Sequence, residues 1–278
     1  MNTPRIIYYY QTFNGLKNIL YQDTPVTHIH LSSIHFGTNT NEKTDTSHYI
    51  HLNNYSPYDK RFDQVWKDLL NAKKYNIKTI LMVGGAGGAF GTLFSNFNTY
   101  YPLLRDLIID KSVINKNENE NIIQGVDLDV EEYTNIEDIK MLIRKLKEDF
   151  GKDFIITMAP IQMSLQEDTT GMGGFIYKDL YKSPEGEMID YFNGQFYMDY
   201  SENAYTQVIE NGYPCEKIVM GMISGENYEE ELKKVYQKYD TRFGGVFIWE
   251  YYNSPVNWEK NVKNIIKPNS FLTNCLIV

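Results

Sequence analysis

At 278 residues the chain is long for an average domain but ordinary for a single α/β barrel. Hydrophobic residues make up 42% and charged residues 23%, which supports a large buried core and excludes wholesale disorder. A net charge of −9 with no basic stripe argues against nucleic acid as a partner, because its phosphates would be repelled.

In chain order, strands are predicted at 6–11, 26–33, 79–84, 123–131, 154–159, 191–197, 218–222 and 245–249. Most are short apolar or β-branched runs, the pattern of parallel strands covered on both faces. Between them, helical periodicity is clearest at 62–75, 100–109, 136–150, 229–239 and 258–266. In 136–150, Ile136, Ile139, Ile143 and Leu146 share a face, Thr134 or Asn135 supplies a cap, and Gly151 a stop. This alternation predicts an α/β fold, a single (β/α)8 TIM barrel without a large insertion domain. The barrel is expected over residues 1–270 and a tail over 271–278, with a doubly wound open sheet as the alternative. The polar run 111–121 reads as a loop before the fourth strand. The longest connection, 161–190, carries Gly171, Gly173 and Gly174 after the fifth strand, where a barrel places a substrate-shaping loop.

The most informative segment is Gly125-Val126-Asp127-Leu128-Asp129-Val130-Glu131. Alternate side chains of a strand point the same way, so Asp127, Asp129 and Glu131 share one face and the three aliphatics share the other. The aliphatic face must meet the helices, which turns the carboxyls into the barrel, with Glu131 nearest the C-terminal end where barrel active sites sit. Carboxyls about 7 Å apart along one face cannot all stay ionised. A shared proton raises at least one pKa and leaves Glu131 poised as a general acid, as glycosidic cleavage requires. An exposed acidic edge or a Ca2+ loop is the competing interpretation, but a Ca2+ loop would need Gly and Asn turns among its ligands. Glu132 has the opposite parity and points away.

With its preceding Gln124, this stretch resembles the Asp-Gly-x-Asp-x-Asp-x-Glu signature of family-18 glycoside hydrolases, the chitinases and endo-β-N-acetylglucosaminidases. The resemblance extends along the chain. Leu81-Met82-Val83-Gly84-Gly85 is similar to the family's Ser-x-Gly-Gly strand, and Met158-Ala159-Pro160 to its fifth strand. Gln195-Phe196-Tyr197-Met198 is similar to Gln-x-Tyr-Asn, and Gly244-Gly245-Val246-Phe247-Ile248-Trp249 to the eighth strand. It implies retaining catalysis without a carboxylate nucleophile, in which the substrate's own 2-acetamido oxygen attacks the anomeric carbon. Glu131 would protonate the leaving oxygen and then activate water, and Asp129 would hold the acetamido N–H and stabilise the oxazolinium. Asp127 would share a proton with Asp129, and Tyr197 would donate its hydroxyl to the acetamido oxygen. Gln195 projects beside Tyr197, Trp249 would floor the distorted sugar, Met158 would pack on the acetamido methyl, and Tyr8 or Tyr10 would line the cleft. The implied partner is an oligosaccharide or polysaccharide containing N-acetylglucosamine, with no cofactor and no metal, acted on by a monomer. No insertion separates the seventh and eighth strands, which implies an open cleft and endo action. Chitin and N-glycan cores both fit.

Three positions depart from the family pattern. Gln124 would remove one carboxylate from the proton-sharing stack, Met82 a hydroxyl within it, and Met198 an amide near the substrate. A non-hydrolytic sugar-binding protein on the same barrel is the second function class, and retention of Glu131 favours the enzyme. His28, His30, His35, His48 and His51 lie close in sequence, and His28 and His30 share a strand face, but no Cys or carboxylate completes a zinc spacing. Two cysteines, Cys215 and Cys275, cannot build a disulfide framework. The N-terminal apolar run is too short for a signal h-region and no stretch reaches ~20 apolar residues, so a soluble, cytoplasmic protein is the expectation. Cys275-Leu276-Ile277-Val278 has the form of a weak prenylation signal.

Overall fold

The computed structural model describes residues 3–37, 49–112, 121–197 and 199–266. Eight parallel strands form a closed barrel: β1 (Arg5–Tyr10), β2 (His28–Phe36), β4 (Lys78–Gly84), β5 (Ile123–Asp129), β6 (Ile155–Met158), β7 (Tyr191–Gln195), β8 (Ile218–Ile223) and β9 (Gly245–Trp249). Closure comes from β1, which pairs in parallel with both β2 and β9. A three-residue strand, β3 (Ile50–Leu52), pairs antiparallel with the C-terminal end of β2 outside the ring. Sequence pattern does not predict β3, because three residues carry no usable period. The open-sheet alternative is excluded by the closure, and no large extra domain interrupts the barrel.

Helices α1 (Asp63–Ala72), α2 (Phe90–Ser95), α3 (Phe97–Ser112), α4 (Ile136–Phe150), α5 (Gln162–Gln166), α6 (Tyr177–Tyr181), α7 (Pro184–Glu187), α8 (Glu202–Glu210), α9 (Glu229–Tyr239) and α10 (Trp258–Ile265) lie between the strands. The long helices stand where the 3.6-residue period puts them; the missed ones, α2 and α5 to α8, span nine residues or fewer. Asn135, not Thr134, caps α4 by accepting from the Glu137 amide, and α4 buries Ile139, Leu142, Ile143 and Leu146 against the barrel. None of the described helices is long and apolar enough to cross a membrane. The 271–278 tail, with Cys275, lies outside the described residues, as do most of 111–121 and His48.

Strand alternation divides the buried side chains into two sets. Val126, Leu128 and Val130 join the large core between strands and helices, whereas Tyr9, Met82, Tyr191, Val219 and Phe247 fill the barrel interior. Gly125 is required at the start of the acidic run, where β5 and β6 approach closely. A Cβ there would stand 2.7 Å from Ile155 Cβ and closer still to the Ile155 carbonyl oxygen. Gln124 sits at the register shift between β4 and β5, accepting from the Thr79 amide (2.7 Å) and donating to the Asn121 carbonyl (2.5 Å). It therefore stitches two strand starts together and is no member of the carboxyl stack, contrary to the expectation from motif alignment.

Glu132 points away from the barrel axis, as parity requires, and its Oε1 accepts from the amides of Ala89 (2.5 Å), Phe90 (2.5 Å) and Gly91 (3.2 Å). These are the orphan N–H groups at the start of α2, so the side chain next to Glu131 caps a helix that follows β4.

Gly125→Ala is expected to lower unfolding free energy by about 2 kcal/mol through overpacking, measured by chemical denaturation. Glu132→Ala should cost about 2 kcal/mol and speed hydrogen exchange at the Phe90 and Gly91 amides selectively. Unchanged exchange there would show that the cap does not hold the helix start.

Candidate active site

The centre of the site is Asp127, which has no exposed surface. Register sets Met82 on one side of it and Thr157 on the other, both level with Asp127 in the barrel. Its Oδ1 accepts from the Thr157 hydroxyl (2.5 Å) and the Asn193 amide (3.1 Å). Its Oδ2 accepts from the Tyr9 hydroxyl (2.6 Å) and lies 3.3 Å from His30 Nδ1. Burial penalises this carboxylate, but His30 and the hydroxyls of Thr157 and Tyr9 outweigh that penalty and hold its pKa below the usual range. An oxygen pair so furnished with donors is an acceptor only, hence ionised.

One step toward the C-terminal face, Asp129 is also buried, and Gln195 Nε2 donates to its Oδ1 at 3.3 Å. The same amide donates to the Ala159 carbonyl at 2.8 Å, which fixes its orientation. Burial, then the charges of Glu131 and Asp127, push Asp129 well above an ordinary aspartate. Of the two aspartates, Asp129 is the one whose surroundings favour the protonated form. The loop after β4 closes against it: the Gly85 amide donates to the Asp129 carbonyl, and a Cβ on Gly85, at φ +79°, would meet Met82 Cε at 2.7 Å.

Glu131 lies just beyond β5, half-buried, and burial raises its pKa against a hydrogen bond from Gln195 that lowers it. Tyr197 is half-buried beside Phe247, and burial followed by the charge of Asp129 keeps its hydroxyl protonated. Trp249, at the end of β9, packs into the interior with its ring 5.5 Å from Tyr9. Asp127, Asp129, Glu131, Gln195, Tyr197 and Trp249 thus converge on one end of the barrel, at the C-terminal ends of its strands.

Two expected site residues do not join them. Tyr8 faces the helices: its hydroxyl donates to Glu259 at 3.0 Å and its ring packs on Trp258 and Tyr251. Tyr10 faces the same way, and the barrel-facing tyrosine is Tyr9 between them. Met158 is likewise fully buried on the outer face of β6, because the inward position belongs to Thr157. Met198 lies outside the described residues. Sequence reasoning missed Tyr9, Thr157 and Asn193, although Asn193 shares the parity of Gln195 and Tyr197 and was readable on that ground.

Among the described residues no group of three or more His, Cys, Asp and Glu side chains is placed to hold a metal ion. His28 is pushed well below its ordinary pKa, first by burial and then by His30, Arg5 and Lys78. His35 lies 2.8 Å from the Gly88 carbonyl and His51 3.0 Å from that of Gly37.

No family model and no curated protein matches the sequence. Solved structures do match. A fungal endo-β-N-acetylglucosaminidase from glycosyl hydrolase family 18 aligns with a TM-score of 0.81 and 29% identity, over 96% of this chain and 100% of that one. Chitinase ChiC from Aspergillus fumigatus aligns with a TM-score of 0.78 and 27% identity, over 91% and 93% of the two chains. A family-18 chitinase from Pseudoalteromonas aurantia, at 18% identity, shares the fold with a TM-score of 0.66 over 94% and 99%. With its acidic strand, its inward Tyr197 and its strand-end Trp249 in one closed barrel, the chain has the chitinase-like fold of glycoside hydrolase family 18.

Proposed function

We propose that the protein is a chitinase-like glycoside hydrolase that cleaves β-1,4-linked N-acetylglucosamine by retaining, substrate-assisted catalysis. The observation that carries this reading is the stacking of the three carboxyls: buried Asp127 with its ring of donors at depth, buried Asp129 pushed towards its protonated form above it, and half-buried Glu131 with a raised pKa at the cleft. The first step needs an acid on the leaving oxygen and an anion beneath a developing positive charge, and this stack supplies both.

The acetamido carbonyl oxygen of the bound sugar attacks the anomeric carbon while the glycosidic C–O bond breaks and Glu131 gives its proton to the leaving oxygen. Asp129 accepts the acetamido N–H, and as its proton is drawn toward Asp127 it becomes the negative group facing the oxazolinium. Tyr197 donates to the acetamido oxygen, and Trp249 covers the apolar face of the ring. Glu131, now a carboxylate, takes a proton from water, whose oxygen adds to the anomeric carbon and restores the acetamido group with retained configuration. Tyr133, two residues past the acid and 84% exposed, offers a second aromatic face at the cleft rim.

A second reading, cleavage within the N-acetylglucosamine pair of an N-glycan core, draws on a neighbouring cavity of about 550 Å³. Gln11, Thr12, Ser33, His35 and Asn53 line it with donors and acceptors, which suits hydroxyl-rich mannose better than a ribbon of stacked acetamido sugars.

Glu131→Gln should abolish release from a fluorogenic N-acetylglucosamine oligomer, a loss of at least about a thousandfold, while binding persists. Wild-type rates on chitin oligomers and on a Man-GlcNAc2 glycan, run side by side, separate the two substrates. Binding of both with cleavage of neither would make the protein a sugar-binding barrel.

The pH profile of kcat/KM should be bell-shaped. Activity falls on the alkaline side as Glu131 loses its proton, and because burial raises that pKa the limb lies above the usual glutamate range. It falls on the acid side as the Asp127–Asp129 pair takes up a second proton. A single alkaline limb at the ordinary glutamate pKa would contradict the assignment.

A further inference from the structure

Neither motif spacing nor the proposed chemistry gives a role to His30, a fully buried imidazole on the barrel axis. Its Nδ1 stands 3.3 Å from Asp127 Oδ2, and neither side chain has any exposed surface. On its other side, Nε2 lies 3.3 Å from the Tyr191 hydroxyl. The ring packs on Tyr9, 4.8 Å between centroids, and Tyr9 itself donates to the same Asp127 oxygen. On β4 the residue level with Asp127 is Met82, whose thioether gives a carboxylate no useful donor.

We propose that His30 is a positioning residue of the catalytic stack: with its proton on Nδ1, it fixes Asp127 as the ionised member of the Asp127–Asp129 pair and so keeps the shared proton on Asp129, next to the substrate. The inference rests on the hydrolase reading for its catalytic meaning, but the pairing itself is a property of the folded protein. Tyr191 supports it from behind, because burial keeps that phenol protonated and able to donate to Nε2, which directs the imidazole proton to Nδ1. Facing His30 are Tyr9 from β1, His28 from β2, Asp127 from β5 and Tyr191 from β7; His28 is held neutral by burial, and Arg5 stacks on Tyr191 at 4.3 Å. His30, together with the Thr157 and Tyr9 hydroxyls, favours the charged form of Asp127. A buried carboxylate deprived of its nearest positive or donor group takes up protons more readily.

The test uses three variants of the full chain. His30→Phe keeps a ring against Tyr9, His30→Leu is a second apolar form in case the first does not fold, and His30→Asn places an amide donor where Nδ1 stood. Aspartate carboxyl titrations are followed by 13C NMR, alongside the pH profile of kcat/KM on an N-acetylglucosamine oligomer. In either apolar variant the Asp127 midpoint should rise by about one pH unit or more, and the acidic limb of the profile should move up with it. His30→Asn should return most of that shift. An Asp127 midpoint left unmoved in a folded apolar variant overturns the proposal, whether or not the protein hydrolyses anything. If the midpoint moves as expected while the wild type cleaves no substrate, the pairing stands and the hydrolase reading falls.

Discussion

A carboxylate with no exposed surface is tolerated on the barrel axis because groups from four other strands converge on it. Tyr9 comes from β1, His30 from β2, Thr157 from β6 and Asn193 from β7, all directed at Asp127 on β5. Burying an unpaired ion costs several kcal/mol, and removing one donor from such a set leaves a charge that no water can reach. The cluster is therefore both a fastening between strands far apart in sequence and the electrostatic reference for the site. Above it, burial first and then the charges of Glu131 and Asp127 push Asp129 well above an ordinary aspartate, and burial raises Glu131.

The interior is asymmetric at this depth. Of the strands that carry no donor, β4 presents Met82 between His30 and Asp127, whereas the adjacent β8 and β9 present Val219 and Phe247 and make the apolar wall of the axis. The polar wall leads up to Gln195, whose amide holds both Asp129 and the Ala159 carbonyl, while the apolar wall leads to Trp249. A sugar seated across the top would meet charge on one side and an aromatic surface on the other, the combination that 2-acetamido chemistry uses.

Much of this was legible before any coordinates. The three alternate carboxyls and the pair Gln195 and Tyr197 follow from period-two geometry, and the barrel from eight short apolar runs alternating with helical periods. What failed was the choice of face in β1, where three tyrosines are consecutive. Both faces of a parallel barrel strand are buried, so hydrophobicity does not tell Tyr8 from Tyr9, and only pairing with β2 and β9 fixes the parity. Met158 failed for the same reason, although Thr157, the one hydroxyl in β6, marked the polar face. Gln124 misled differently: motif alignment counts residues, whereas the register shift at Thr79 and Ile80 swings that side chain out of the stack.

Glu131 and Glu132 leave the same stretch of backbone in opposite directions, one toward the cleft and one into the amides that begin α2. Glu131 is thereby grounded mechanically on a helix start: the segment that carries it cannot drift without pulling Glu132 from the three amides that hold it. The glycine loop from Gly84 to Gly88 is held at both ends, by the Asp129 carbonyl at one and by His35 at the other. The position of Glu131 is therefore tied to the seating of α2 and of that loop, not to β5 alone.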